Sequence, residues 1–189
     1  MRPLYFLRDA LFFCASAGCL LTGCAAGQQT ADFSPKLDGA YTAEAELEYG
    51  SGQTAALTVT RYGKGQWETA FSAPPALEGV VLQFEGDAVT ASYKGLQFSV
   101  PKSALPAKNM LTLATDALDH AAETQPLPCT AQDDGTYCYA GDAESGSYTL
   151  RFSGSGEPLS VEMPSQPFTL RFSSLRVLSP EPAAATTAA

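Results

Sequence analysis

From Gly39 onward, apolar and polar residues alternate with a period of two along most of the chain, the pattern of strands with one buried and one wet face. Residues 41–49 place Tyr41, Ala43, Ala45, Leu47 and Tyr49 on one side and Thr42, Glu44, Glu46 and Glu48 on the other. Gly50 to Gly52 turns the chain into a second strand, Thr54 to Tyr62. Gly63 to Gly65 turns it into a third, Gln66 to Ser72, on which Trp67, Thr69 and Phe71 share a side. Val80 to Phe84, Ala88 to Tyr93 and Leu96 to Val100 extend this antiparallel meander. Strands resume at Ser147 to Ser153, Leu159 to Met163 and Phe168 to Leu178. Three of these strands carry the same pair, Leu82 with Phe84, Leu150 with Phe152 and Leu170 with Phe172, which predicts one continuous apolar sheet face.

The period changes once. Between Asn109 and Ala122, Leu111, Ala114, Leu118 and Ala121 or Ala122 fall on a single helical stripe, and Asn109 is positioned to cap the first turn. This predicts one amphipathic helix packed on the apolar sheet face, with Asp116, Asp119 and His120 off the stripe and directed to water. The fold class is mainly β (α+β). Ser179 to Ala189 is a Pro/Ala/Thr tail with nothing to bury.

The N-terminus follows another logic. Two basic residues, Arg2 and Arg8, precede an apolar stretch from Leu11 to Leu21 that is too short for a permanent membrane span, and small residues follow. Leu21-Thr-Gly-Cys24 has the order of a lipobox: an aliphatic, two small residues and a cysteine whose thiol receives diacylglycerol before the peptide is cut. This divides the chain into a signal peptide (1–23), a lipidated flexible tether (24–38), a β domain (39–178) and a tail (179–189). The protein is then held at the cell membrane, on its extracytoplasmic face, by a lipid on Cys24.

Of five cysteines, Cys14 and Cys19 lie in the signal and Cys24 is the acylation site, leaving Cys129 and Cys138 for the exported domain. A four-residue loop from Gln132 to Gly135 sets Cys129 opposite Cys138 in a hairpin, which predicts a disulfide. Redox catalysis normally uses Cys-x-x-Cys, and zinc needs two further ligands where the chain has a single histidine, His120. Asp133, Asp134, Asp142 and Glu144 match no calcium loop and read as turn residues. No nucleophile elbow accompanies His120. These readings assign no catalytic residue, no metal and no cofactor. A formal charge of −9, with no cluster of Lys and Arg, argues against nucleic acid as a partner and against adhesion to anionic headgroups by charge alone.

The order of features from Arg61 to Leu96 carries a family resemblance. Arg61-Tyr-Gly-Lys-Gly-Gln-Trp67 is followed by Pro74-Pro-Ala-Leu-Glu-Gly79, then Phe84-Glu-Gly-Asp-Ala-Val89 and Tyr93-Lys-Gly-Leu96. This resembles the outer-membrane lipoprotein carrier (Lol-type) superfamily, and more narrowly Gram-positive lipoproteins of that fold, such as clostridial spore germination lipoproteins. The resemblance implies an incomplete antiparallel β-barrel over a helix, a concave apolar face that shelters lipid, and no catalytic residue. Two departures, the acylation site and the lack of a helix before the first strand, argue against a mobile carrier. The resulting expectation is an anchored, non-enzymatic module that binds a lipid or other hydrophobic ligand through Trp67, Phe71, Leu82, Phe84, Leu150, Phe152, Leu170 and Phe172. The alternative is a lipoprotein scaffold that engages a protein partner in envelope or spore germination processes.

Overall fold

The computed structural model describes residues 30–105, 109–143, 146–164 and 166–178. The expected signal peptide, Cys24 with the expected tether up to residue 29, and the expected tail from 179 lie outside the described residues. The strands are β1 (Thr30–Phe33), β2 (Tyr41–Tyr49), β3 (Gln53–Gly63), β4 (Gln66–Ala73), β5 (Val81–Glu85), β6 (Ala88–Tyr93), β7 (Leu96–Pro101), β8 (Leu127–Ala131), β9 (Tyr137–Ala143), β10 (Gly146–Phe152), β11 (Pro158–Glu162) and β12 (Phe168–Val177), and one α-helix, α1 (Met110–Thr124), joins β7 to β8. All twelve strands form one antiparallel sheet in the order β1-β8-β9-β10-β11-β12-β2-β3-β4-β5-β6-β7. Two meanders, β2 to β7 and β8 to β12, meet where β12 pairs with β2. Among the described residues the sheet does not close, and β1 and β7 are its edges.

The alternating pattern becomes rows of inward side chains that cross the strands. One row runs Tyr41, Arg61, Trp67, Phe84, Val89, Val100 from β2 to β7. A second runs Leu175, Ala43, Val59, Thr69, Leu82, Ala91, Phe98. A third, on the other meander, runs Tyr139, Leu150, Val161, Leu170, Leu47, Ala55. The predicted continuous apolar face therefore exists, and α1 lies in its concavity.

Asn109 caps α1 as expected, its side chain accepting from the Thr112 N–H at 3.2 Å. Leu111, Ala114, Leu118 and Ala121 are buried, but so are Leu113, Thr115, Ala117 and Asp119. A flat sheet would cover only the stripe that the period defines; this sheet curves around the helix and covers more of its circumference. Ala114, Ala117 and Ala121 let the backbone approach the strands closely, since an alanine adds little bulk between the two layers. At β9 the fit is tight enough to require a residue without a side chain: a Cβ on Gly141 would lie 2.5 Å from Cζ of Tyr148.

Two expectations change here. Part of the stretch read as tether is folded: Thr30–Phe33 forms β1 against β8, and Leu37 is fully buried, with Lys36 N–H donating to the Gly156 carbonyl at 2.7 Å. A strand of four residues is too short to register as a period. The cysteine hairpin is also out of the predicted register by one residue, since Thr130 and not Cys129 faces Cys138. A one-residue slip sends side chains to opposite faces, so Cys129 points into the core while Cys138 lies half-buried beside Arg151, and both are free thiols. The slip follows from the turn, where Gln132 N–H donates to the Thr136 carbonyl and closes the loop between Gln132 and Thr136.

Candidate functional site

One end of the concavity is closed by a buried polar network. The Asp119 carboxylate accepts three hydrogen bonds, from Arg61 Nε at 3.0 Å, Trp67 Nε1 at 2.8 Å and the Gly65 N–H at 2.8 Å. Arg61 Nη1 also donates to the Gly39 carbonyl at 2.7 Å, and its guanidinium carbon lies 5.7 Å from the centre of the Trp67 ring. The Tyr41 ring meets Trp67 edge-on. Falling off the apolar stripe, Asp119 is expected in water; instead, the β3–β4 hairpin curls around α1 and meets it. The neighbouring residue behaves likewise toward the other meander, with His120 Nδ1 hydrogen-bonded to the Tyr148 hydroxyl at 2.7 Å. Successive helix residues are about 100° apart, so Asp119 and His120 tie α1 to both halves of the sheet. Of the three polar helix residues expected outside, Asp119 is buried and His120 and Asp116 are half-buried, Asp116 paired with Lys102 at 3.6 Å; burial raises its carboxyl above the usual range and Lys102 pulls it back.

The eight apolar residues expected to contact a ligand do share the concave face. Six of them, Trp67, Phe84, Leu150, Phe152, Leu170 and Phe172, are buried beneath α1 and its flanking strands as core. Phe71 and Leu82 alone reach an apolar opening. The helix fills the cavity that the sheet by itself would leave, which the strand pattern has no means of reporting.

The opening lies at the end of the strands opposite the Asp119 network, around the N-terminus of α1. The loop from Pro74 to Val80 divides it into two apolar clefts. The smaller, about 270 Å³, is walled by Leu47, Tyr49, Phe71, Leu77, Met110 and Leu111. The larger, about 490 Å³, is walled by Ala76, Val80, Leu82, Ala91, Tyr93, Leu96 and Phe98. At its rim Leu96 is 74% and Phe98 65% exposed. Phe98 extends a core row outward, following Thr69, Leu82 and Ala91 across β4 to β7, with Leu96 beside it on the same face of β7, so the core surface continues into solvent. The alternation Leu96, Phe98, Val100 is plain in the sequence. What it does not carry is that α1 covers the rows further in and stops short of β7.

Among the described residues no three His, Cys, Asp or Glu side chains gather as a metal site. No described helix is long and apolar enough to cross a membrane. Burial pushes the Cys129 thiol up to about 11, with Cys138 adding to the shift, so it stays protonated and unreactive near neutral pH.

The network generates two expectations. Asp119→Ala leaves the Arg61 guanidinium buried without its partner, which costs about 3–5 kcal/mol; urea unfolding followed through Trp67, the only tryptophan, measures the loss, and emission of the folded variant shifts to the red as water reaches the indole. Burial also raises the hydroxyls of Tyr41 and Tyr148 well above their ordinary value. Unfolded tyrosines titrate near pH ~10, so the stability gained by keeping both neutral is complete below that pH and is lost progressively above it. The Tyr41 hydroxyl has no hydrogen-bond partner among the described residues. Tyr41→Phe should therefore change stability by less than about 1 kcal/mol at pH 7 and flatten the decline above pH ~10; a urea midpoint series at rising pH reads both.

No protein-family model matches the chain, and no curated protein matches it. Solved structures do. An uncharacterized conserved protein from Thermus thermophilus aligns with TM-score 0.46 and 11% identity over 76% of this chain and 81% of that one. A LolA superfamily protein from Nitrosomonas europaea aligns with TM-score 0.42 and 13% identity over 79% and 90%. A chain of the complex between the CwlD amidase and the GerS lipoprotein of Clostridioides difficile aligns with TM-score 0.41 and 13% identity over 71% and 84%.

Proposed function

We propose that this protein is a membrane-anchored, extracytoplasmic, non-enzymatic binding module whose apolar mouth receives a lipid or other hydrophobic ligand. The observation that carries this reading is the run of a core row out through Leu82 and Ala91 to Phe98, with Leu96 beside it, where apolar side chains stand in water above a cleft of about 490 Å³. Covering a large apolar side chain contributes about 1.5–3 kcal/mol, so two such residues at the rim supply enough for micromolar binding of a small apolar ligand only if the cleft beneath is also filled. The reading therefore moves the ligand from the buried face to the mouth, with Phe71 and Leu82 retained from the original set and Tyr93, Leu96, Phe98, Leu77 and Met110 added. The anchor part of the proposal rests on Leu21-Thr-Gly-Cys24.

Binding is checked with the full-length chain in detergent micelles and a dansylated undecanoic acid as probe. Wild type should raise the probe's emission saturably, and the pair Leu96→Ser and Phe98→Ser should weaken the fit about tenfold or more, equivalent to about 1.4 kcal/mol. Saturable binding that is indifferent to both substitutions, or none at all, removes the mouth as the ligand site. The anchor is tested separately by growing cells with an alkyne analogue of palmitate. Wild type should take up the label and fractionate with membranes, while Cys24→Ala should do neither; label retained in Cys24→Ala would place the acyl group elsewhere.

A further inference from the structure

The mouth has a second open surface at its rim, made of backbone. β7 is the last strand of the sheet and, among the described residues, pairs with β6 alone. Lys94 and Gly95 form the two-residue turn between them with positive φ at both positions, 48° and 82°, which closes the hairpin on the pair Tyr93 and Leu96. The closing pair of such a turn exchanges backbone hydrogen bonds, and bonded and non-bonded pairs then alternate. Ala91 with Phe98 and Val89 with Val100 are thus bonded pairs, while Ser92 with Gln97 and Thr90 with Ser99 are not. The side-chain bond from Thr90 Oγ1 to Ser99 Oγ at 2.9 Å fits the closer approach of a non-bonded pair. The N–H and C=O groups of Gln97 and Ser99 therefore point away from β6. No other described segment pairs with them. Pro101, which has no N–H, ends the free ladder.

Charge separates this edge from the rest of the molecule. The β6–β7 hairpin, from Ala88 to Pro101, holds Lys94 and no Asp or Glu, in a chain of net charge −9. Lys94 stands at the tip of the edge, over the Tyr93 ring at 5.0 Å and with no ion pair among the described residues. The opposite edge, β1, carries Asp32 and no lysine. The rows Ala91–Phe98 and Val89–Val100 stop at β7 with a large apolar residue facing outward along the concave side.

We propose that β7 receives an extended segment of another polypeptide as a thirteenth strand, bearing apolar residues at alternate positions and an acidic residue beside Lys94. Backbone bonds to Gln97 and Ser99 supply adhesion, and the alternate apolar side chains continue the rows over Phe98. A lipid or a fatty acid offers no matching ladder of backbone donors and acceptors for these four groups, and the acidic chain as a whole disfavours an anionic bilayer, which leaves an extended peptide as the occupant the edge fits. This binding uses the strand edge and stands whether or not the cleft takes a hydrophobic ligand.

A library of displayed dodecapeptides, selected on the full-length chain in detergent micelles, tests the proposal. Enriched peptides should alternate apolar and polar residues and carry Asp or Glu. A synthetic copy of one should slow amide hydrogen exchange at Gln97 and Ser99. Gln97→Pro removes an N–H that β6 does not use, in an edge strand where proline is tolerated; it should weaken the peptide at least tenfold while leaving Trp67 emission and dansylated undecanoic acid binding unchanged. Lys94→Glu should weaken it several-fold, and carries the test with the exchange data if Gln97→Pro loses the native emission. Failure to enrich any peptide, equal binding by the folded variants, or protection confined to the cleft without change at Gln97 and Ser99 overturns the proposal. Loss of fatty-acid binding with peptide binding intact would instead remove only the ligand reading.

Discussion

The placement of α1 depends on the carboxylate of Asp119. A helix laid in a curved sheet could slide along it or rotate in it, since apolar contacts are non-directional. Three donors converging on one buried carboxylate remove that freedom: Arg61 and Trp67 come from adjacent strands and Gly65 from the turn between them. A charge in such surroundings is tolerated only when paired and hydrogen-bonded, so any displacement of the helix strands either the carboxylate or the guanidinium. His120 on Tyr148 adds a tie to the other meander. The two consecutive residues fix both the rotation of the helix and its depth.

The position of α1 in turn decides what the sheet has to offer. With the helix seated at the Arg61 end, Trp67, Phe84, Leu150, Phe152 and Leu170 become a packed core. The helix begins at Met110, beside Phe71 and Leu77, and leaves the ends of β5, β6 and β7 uncovered. The same curvature that buries Asp119 therefore leaves Leu96 and Phe98 in water. Exposed apolar residues that continue a core row form a contiguous patch, unlike apolar residues scattered singly over a surface. Lys94 stands beside that patch, whose lining holds no Asp or Glu, so the rim differs from the rest of the acidic surface in both charge and polarity.

Local chemistry determined a good deal. Strand and helix positions follow from periods of 2 and 3.6 because side-chain direction is set by backbone geometry alone, and the turns at Gly65, Gly86 and Gly95 need residues that accept positive φ. The N-cap at Asn109 and the common face of Leu82, Phe84, Leu150, Phe152, Leu170 and Phe172 were legible for the same reason. Only the tertiary structure decided which part of that face is core and which is site, because burial depends on how far the sheet curls around the helix, a property of twelve strands together. The same limit hid the partners of Asp119, which lie 52 to 58 positions away, and the partner of His120, which lies 28 positions away. It also hid the register of the Cys129 hairpin, where one backbone bond between Gln132 and Thr136 sends the two thiols to opposite faces.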